Sequence, residues 1–317
     1  MAPLRRRGAD AMSPARRLAR SGRALVTGVP YLWLVLFFLV PFLIVLRISF
    51  SEAVMAQPPY TPLLDWVQGE EGEGLKLLLT LNLGSYLRLF QDDLYVVAYL
   101  SSLRMAAVST VLCLAVGYPM AYAIARARPA RRGALMMLVI LPFWTSFLIR
   151  VYAWIGILKA NGTLANLLAS VGLVDPSFEL LYSDVAVYIG ITYSYLPFMI
   201  LPLYASLEKL DPTLLEAAAD LGARPWEAFL RVTLPLSLPG IIAGSLLVFI
   251  PAVGEFVIPE LLGGPDTLMI GRVLWNEFFS NRDWPVASAV AIALLLFLVV
   301  PIMVFQYVQG RQQEAGR

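Results

Sequence analysis

The sequence predicts an all-α polytopic membrane protein with six transmembrane helices, and three observations carry that expectation. Of its 317 residues 59% are hydrophobic and only 15% charged, against about 25% charged in an ordinary soluble domain, so too few polar side chains remain to cover a water-exposed surface. Six apolar stretches are each long enough for a membrane helix, which takes about 20 residues because lipid offers no partner to backbone N–H and C=O groups. Arginine and lysine cluster in alternate connections between those stretches, which fixes an orientation.

The stretches run over residues 31–50, 96–125, 134–158, 185–207, 240–262 and 285–308. An Arg-rich leader before an apolar run is also the plan of a cleavable signal peptide, and Val54-Met55-Ala56 resembles a cleavage site. The run exceeds the usual signal core of about 7–15 residues and carries Pro41 in its middle, so it reads as a retained membrane helix. Before it stand Arg5, Arg6, Arg7, Arg16, Arg17, Arg20 and Arg23, and between the second and third stretches Arg126, Arg128, Arg131 and Arg132. Both segments are expected in the cytoplasm. Beside a membrane helix such arginines set topology, and nucleic acid is not expected as a partner.

Between the first two stretches, the loop 51–95 has Lys76 and Arg88 against Glu52, Asp65, Glu70, Glu71, Glu73, Asp92 and Asp93, which places it outside. Its Pro-, Gly- and acid-rich part, 57–74, reads as loop with little regular structure. Residues 83–99 mix apolar and polar side chains as a helix lying along the membrane surface does. Six spans then leave both termini, the tail 1–30 and the tail 309–317, in the cytoplasm together with the loop 208–239. No repeat period is evident.

Several chemistries are excluded. The chain has no histidine, hence no imidazole acid–base catalysis, Ser-His-Asp triad or HExxH zinc site. Cys113 is the single cysteine and lies in an apolar run, which leaves neither a disulfide nor a cysteine metal site within the chain. The only lysines, Lys76, Lys159 and Lys209, follow Leu, Leu and Glu, so no Gly-Lys-Ser/Thr phosphate loop is present. No catalytic residue, metal ligand or cofactor site is expected.

The loop 208–239 is punctuated more heavily than a simple connection requires. Asp211 followed by Pro212 starts a helix, 213–221 continues it, and Gly222 supplies the residue free to take positive φ. A second short helix begins at Pro225, runs through Trp226, Glu227, Phe229 and Leu230, and is expected to end before Leu234-Pro235. On the first helix Leu214, Ala218 and Leu221 share one face, and Ala217 and Ala218 leave little bulk over the backbone. Periodicity allows two readings: an amphipathic helix lying on the protein's own membrane domain, or a docking surface with Glu216 as a fixed charge.

The string Glu216-Ala217-Ala218-Ala219-Asp220-Leu221-Gly222, followed after nine further residues by Val232-Thr233-Leu234-Pro235, resembles the "EAA" loop of permease subunits in bacterial ABC importers. Val232 stands where that family commonly has Ile. Ser102-Leu103-Arg104, Gly117-Tyr118-Pro119, Leu141-Pro142-Phe143-Trp144-Thr145-Ser146 and Arg150-Val151-Tyr152-Ala153-Trp154 are similar to the spermidine/putrescine permeases within it. So are Pro259-Glu260-Leu261-Leu262-Gly263-Gly264, Leu268-Met269-Ile270-Gly271 and Asp283-Trp284-Pro285.

The resemblance implies a type I importer (MetI-like) permease fold over 31–308. It also implies a complex with a second permease subunit, two ATPase subunits that bind ATP and Mg, and an extracytoplasmic substrate-binding protein. Glu216, Ala217, Ala218, Gly222, Leu234 and Pro235 are then the expected ATPase-coupling residues. A passage for flexible polycations needs carboxylates and aromatic faces in an apolar wall. Glu255, inside an apolar run, is the sharpest candidate, joined by Trp144, Tyr152, Tyr193 and Tyr195, with Glu260, Trp154 and Phe198 behind them. For Arg150 the structural alternative to a role in transport is simple pairing with a nearby acid. Two alternatives stay open at this point: a permease of the same architecture for ferric ion, sulfate, an opine or a phosphonate, and an ion-gradient-driven secondary transporter using Glu255 and Arg150 as coupling charges.

Overall fold

The computed structural model of the chain describes residues 26–68, 75–175 and 177–315. The seven leader arginines and Glu70, Glu71 and Glu73 lie outside the described residues. Helix α1, Val26–Ile48, contains a π-helical turn at Val35–Leu39 just ahead of Pro41. Proline lacks the N–H that an α-turn needs, and the wider turn accommodates it. Most of α1's apolar side chains face outward; its second half packs against the helix Trp284–Ala315, and at its foot the tilted rings of Phe50 and Tyr86 lie 5.3 Å apart and the hydroxyls of Ser49 and Tyr86 hydrogen-bond at 2.7 Å.

The loop 51–95 is more ordered in its described residues than its composition implies. Strands β1, Leu64–Gln68, and β2, Leu75–Leu79, pair antiparallel with Leu64 opposite Leu79. Leu-Asp-Trp-Val on one side and Leu-Lys-Leu-Leu-Leu on the other are β-compatible runs, which the Pro- and Gly-rich flanks obscured. The surface helix expected over 83–99 is in fact two elements: α2, Gly84–Gln91, and the start of α3, Asp93–Arg126. Asp92 takes an extended conformation between them, and its carboxylate accepts the Leu94 N–H at 3.0 Å, the arrangement of a helix cap.

Helix α3 has 34 residues, about 51 Å at 1.5 Å per residue, and so exceeds the thickness of a bilayer core. It packs against α7, Asp184–Leu207, and α10, Leu238–Val253, to form the centre of the protein. Small residues let the backbones approach, as in other membrane bundles. A methyl group added at Gly117 would meet the Met199 side chain at 3.1 Å, and one at Gly244 would lie 3.1 Å from the Met199 carbonyl.

The third predicted span is not a continuous rod. Helix α4 runs through Pro129–Trp144 and ends in a 3₁₀ turn at Leu141–Trp144; Thr145 is extended and Ser146 is non-helical; α5 then occupies Phe147–Leu158 and α6 Thr163–Ser170. Pro129–Trp144 and Phe147–Ser170 meet at 89°. Pro142 tightens the turn, and the Thr145 hydroxyl donates to its carbonyl at 2.7 Å. After α7 come α8, Thr213–Asp220, and α9, Pro225–Leu236, which bends by 64° into α10. Helix α9 passes through Leu234-Pro235 instead of stopping there, because a π-turn at Phe229–Thr233 precedes Pro235 just as one precedes Pro41.

The fifth span is also broken. Helix α10 ends at Val253, and after Gly254 to Phe256 a short α11, Val257–Leu262, begins. Helix α12, Ile270–Trp275, continues as a π-turn at Asn276–Ser280 and is followed by α13, Trp284–Ala315. Three helices, α1, α3 and α7, are long and apolar enough to cross a membrane alone. The two bent pairs qualify when each is taken as one span, and Trp284–Val299 is the apolar part of α13. These elements occupy the six predicted regions.

Ion pairs segregate by end. Arg132 and Glu208 meet at 3.4 Å, joining the two loops predicted to be cytoplasmic. Arg88 and Asp283 meet at 3.1 Å, and Arg104 and Asp184 at 3.6 Å, in the segments predicted to be at or toward the outside.

Candidate functional site

The first candidate site is the elbow made by α8 and α9. The Asp211 carboxylate accepts the Thr213 N–H at 3.0 Å, and that bond holds its carboxyl below the usual carboxylate range. Helix α8 closes with two bonds, Gly222 N–H to Ala219 O at 2.8 Å and Ala223 N–H to Ala218 O at 3.0 Å, a Schellman motif in which Gly222 takes φ +84°. Glu227 then accepts the Arg224 N–H at 2.9 Å and starts α9.

The elbow does not cover its own apolar face. No residue of α8 is buried, Leu214 is exposed, and Leu221 is 89% exposed. The Glu216 carboxylate makes no hydrogen bond or ion pair among the described residues. Ala217 is exposed and Ala218 half-buried, so little bulk stands above the helix backbone. Behind this surface α9 is anchored: Phe229 stands edge-on to Tyr118 and Tyr122 of α3 at 5.6 and 6.1 Å, and Leu234 packs into the same cluster. The Tyr118 hydroxyl bonds that of Ser237 at 2.9 Å, at the bend into α10. Leu234 therefore lies in the packed link between the elbow and the spans, and Pro235 beside it is exposed.

The second site is the break between α10 and α11. Glu255 is 7% exposed, and its Oε1 accepts the N–H groups of Phe256, Val257 and Ile258 at 3.2, 3.0 and 3.4 Å, capping α11. Its Oε2 accepts the Tyr195 hydroxyl from α7. The sequence holds one signal for this break that hydropathy passes over. Pro259 falls in the first turn of α11, where a missing N–H costs nothing, and Gly254 stands just ahead of the carboxylate. Gly271 also fixes the break, since a methyl group there would lie 2.5 Å from the Gly254 carbonyl oxygen and 2.6 Å from that of Glu255.

The remaining candidates divide. Tyr195 touches Glu255 and lies 6.1 Å from the Phe198 ring, which stands edge-on to Phe143 at 5.2 Å. Tyr193 pairs with Trp154 at 5.4 Å. Trp144, at the α4–α5 bend, is 80% exposed, and Tyr152 is exposed on α5; neither is among the hydrogen-bond partners of Glu255 in the described residues. Among the described residues Arg150 does not pair with an acid. Its guanidinium lies over the rings of Phe143 and Phe147, at 5.0 and 5.7 Å, and it is Arg272 that pairs with Glu260, at 2.7 Å.

An exposed elbow seated on a bundle of broken, apolar spans suits a membrane-embedded transport subunit, and similarity to known proteins agrees. Residues 114–312 match the family described as binding-protein-dependent transport system inner membrane component, and the chain belongs to that family of membrane-embedded permeases. It is 40% identical over 281 residues to the spermidine/putrescine transport system permease protein PotB of Haemophilus influenzae, covering 89% of this chain and 92% of that one. The Escherichia coli PotB is 40% identical over 273 residues, 86% of this chain and 92% of its own. The molybdenum transport system permease protein ModB of Mycobacterium bovis is 35% identical over 207 residues, 65% of this chain and 76% of its own. Among solved structures, a chain of a bacterial ABC transporter involved in import of the acidic polysaccharide alginate has the same fold, with a TM-score of 0.67 at 17% identity over 93% of this chain and 99% of that one.

Proposed function

We propose that the chain is one of two permease subunits of an ATP-driven importer of polyamines such as spermidine and putrescine. An extracytoplasmic binding protein delivers the cargo, and two ATPase subunits holding ATP and Mg supply the energy. Both termini and the elbow face the cytoplasm, a topology supported by the ion pair that joins the arginine-bearing 126–132 segment to the elbow loop at one end. The observation that carries the reading is the exposed elbow: an apolar surface around Glu216, which has no partner among the described residues, seated through Phe229 and Leu234 on the spans.

In this reading α8 docks in a cleft of an ATPase subunit through Leu214, Ala217, Ala218 and Leu221, and Glu216 pairs with a basic residue there. Closure of the ATPases moves the elbow, and the stiff link through Leu234 and Pro235 passes the displacement to α10, whose far end is the Glu255 break. The cargo assignment is supported by the relatives' names and by a buried carboxylate backed by aromatic rings, groups suited to an amine cation in an apolar wall. Radiolabelled spermidine and putrescine uptake by the reconstituted complex tests it. ATP-dependent uptake that the two amines compete for supports the assignment, and uptake of molybdate instead overturns it.

A further inference from the structure

Arg150 stands out as a charge for which this chain provides no counter-ion among the described residues. It is 8% exposed, and its Nε is buried without a hydrogen-bond partner. Among the described residues no carboxylate reaches it and no carbonyl accepts from its guanidinium; two phenylalanine rings are its neighbours. It also sits in the first turn of α5, where the helix dipole opposes a positive charge. The buried acids are already engaged: Glu255 by Tyr195 and three N–H groups, and Glu277 by the Tyr95 hydroxyl at 2.9 Å and Asn281 at 3.0 Å. Glu260 is held by Arg272.

The surroundings indicate what completes it. Thr145 and Ser146 break the helix beside Arg150, and Trp144, Thr145, Leu148 and Ile149 are exposed around it. Lipid cannot satisfy irregular backbone at membrane depth, so protein or water covers this bend. A guanidinium whose Nε is sealed from water without a partner is suited to a carboxylate, which its fork geometry matches. A bare guanidinium would also repel a polycation passing nearby.

We propose that a carboxylate of the second permease subunit completes Arg150, so that the bend between Trp144 and Phe147 forms part of the contact between the two permeases. The proposal rests on the two-permease reading above. A membrane-embedded Asp or Glu of the partner enters between the exposed side chains of the bend, forms a bidentate pair with Arg150 and neutralises it on the importing path.

The test uses the whole complex purified through this chain. Arg150→Gln is expected to lower the amount of second permease recovered at least ~10-fold, the cost of stranding one partner of a buried charge pair, whereas Arg150→Lys, which keeps the charge, retains part of it. Arg150→Glu is expected to be rescued by exchanging one membrane-embedded carboxylate of the partner for arginine. Because the Gln variant can fail to fold, a photoreactive phenylalanine derivative at Ile149 in the otherwise wild-type complex gives a second reading, with an adduct to the second permease expected. An adduct to lipid alone or to another copy of this chain, or full recovery of the partner with Arg150→Gln, overturns the inference. A wild-type complex that holds no second permease overturns the import reading itself and this inference with it.

Discussion

The hydroxyl of Tyr195 donates to the carboxylate of Glu255 across the break between α10 and α11, so one buried acid both caps a helix and meets an aromatic hydroxyl from another. The two oxygens do different work: Oε1 collects backbone N–H groups, and Oε2 faces Tyr195. That division separates the structural from the transport consequence of changing the residue.

Glu255→Gln keeps an oxygen for the α11 N–H groups and removes the charge. Polyamine uptake is predicted to fall at least ~10-fold, as expected for a functional charge at membrane depth, while the thermal midpoint of the complex moves little. Glu255→Ala also uncaps α11, a loss of about 1 kcal/mol, and should lower the midpoint measurably. Uptake by Glu255→Gln with wild-type kinetics would remove Glu255 from the path.

Tyr195→Phe removes one hydrogen bond to a buried carboxylate, worth about 1.5–3 kcal/mol when the acceptor is charged. The complex should be less stable, and uptake reduced less than by Glu255→Gln. Denaturation monitored beside uptake separates the two effects.

At Gly222 space is not the issue, because a methyl group added there would meet nothing within 4 Å; the cost comes from φ +84°. Gly222→Val is predicted to lose about 1–2 kcal/mol locally and to misdirect α9. Gly222→Asn, which tolerates this region, should be milder. ATPase subunits co-purified with each variant provide the measurement, and equal recovery with Val and with Gly would contradict the elbow assignment.

Glu216→Lys tests the surface itself. With no partner for Glu216 among the described residues, its stability effect should stay within about 0.5 kcal/mol. Transport should be abolished while the permease still inserts. A stable Glu216→Lys complex that transports normally would leave the elbow without a coupling role.

Gly271→Ala should damage the fold near Glu255 most severely, since its methyl would meet two backbone carbonyls that cannot swing away. Overpacking of this kind costs about 1–3 kcal/mol. Loss of folded complex on size-exclusion chromatography is the expected outcome.

The elbow was legible because its signals are local: Asp211 caps the helix, Gly222 turns it, and Pro225 opens the next one. The spans α3 and α7 were legible because they are uninterrupted apolar helices with apolar lengths above the membrane threshold. The breaks at Thr145-Ser146 and Glu255 were hidden, since hydropathy runs through both. They are held by groups distant in sequence, with Tyr195 and the close approach of Gly271 fixing the second. The hairpin escaped notice because five-residue strands between Pro- and Gly-rich segments carry little period-two signal. That Arg150 meets no acid among the described residues could not be read from a chain that places Glu255 and Glu260 among its apolar spans but engages both elsewhere.

If this permease moves polyamines on energy delivered through its elbow by another chain, cargo movement must depend on ATP and on the elbow surface together. The decisive measurement is uptake of radiolabelled spermidine into proteoliposomes holding the complete complex, with and without ATP and with wild-type or Glu216→Lys permease. Uptake is expected to require ATP, to survive an ionophore and to disappear with Glu216→Lys. Uptake that collapses with the ionophore and persists without ATP would contradict that coupling.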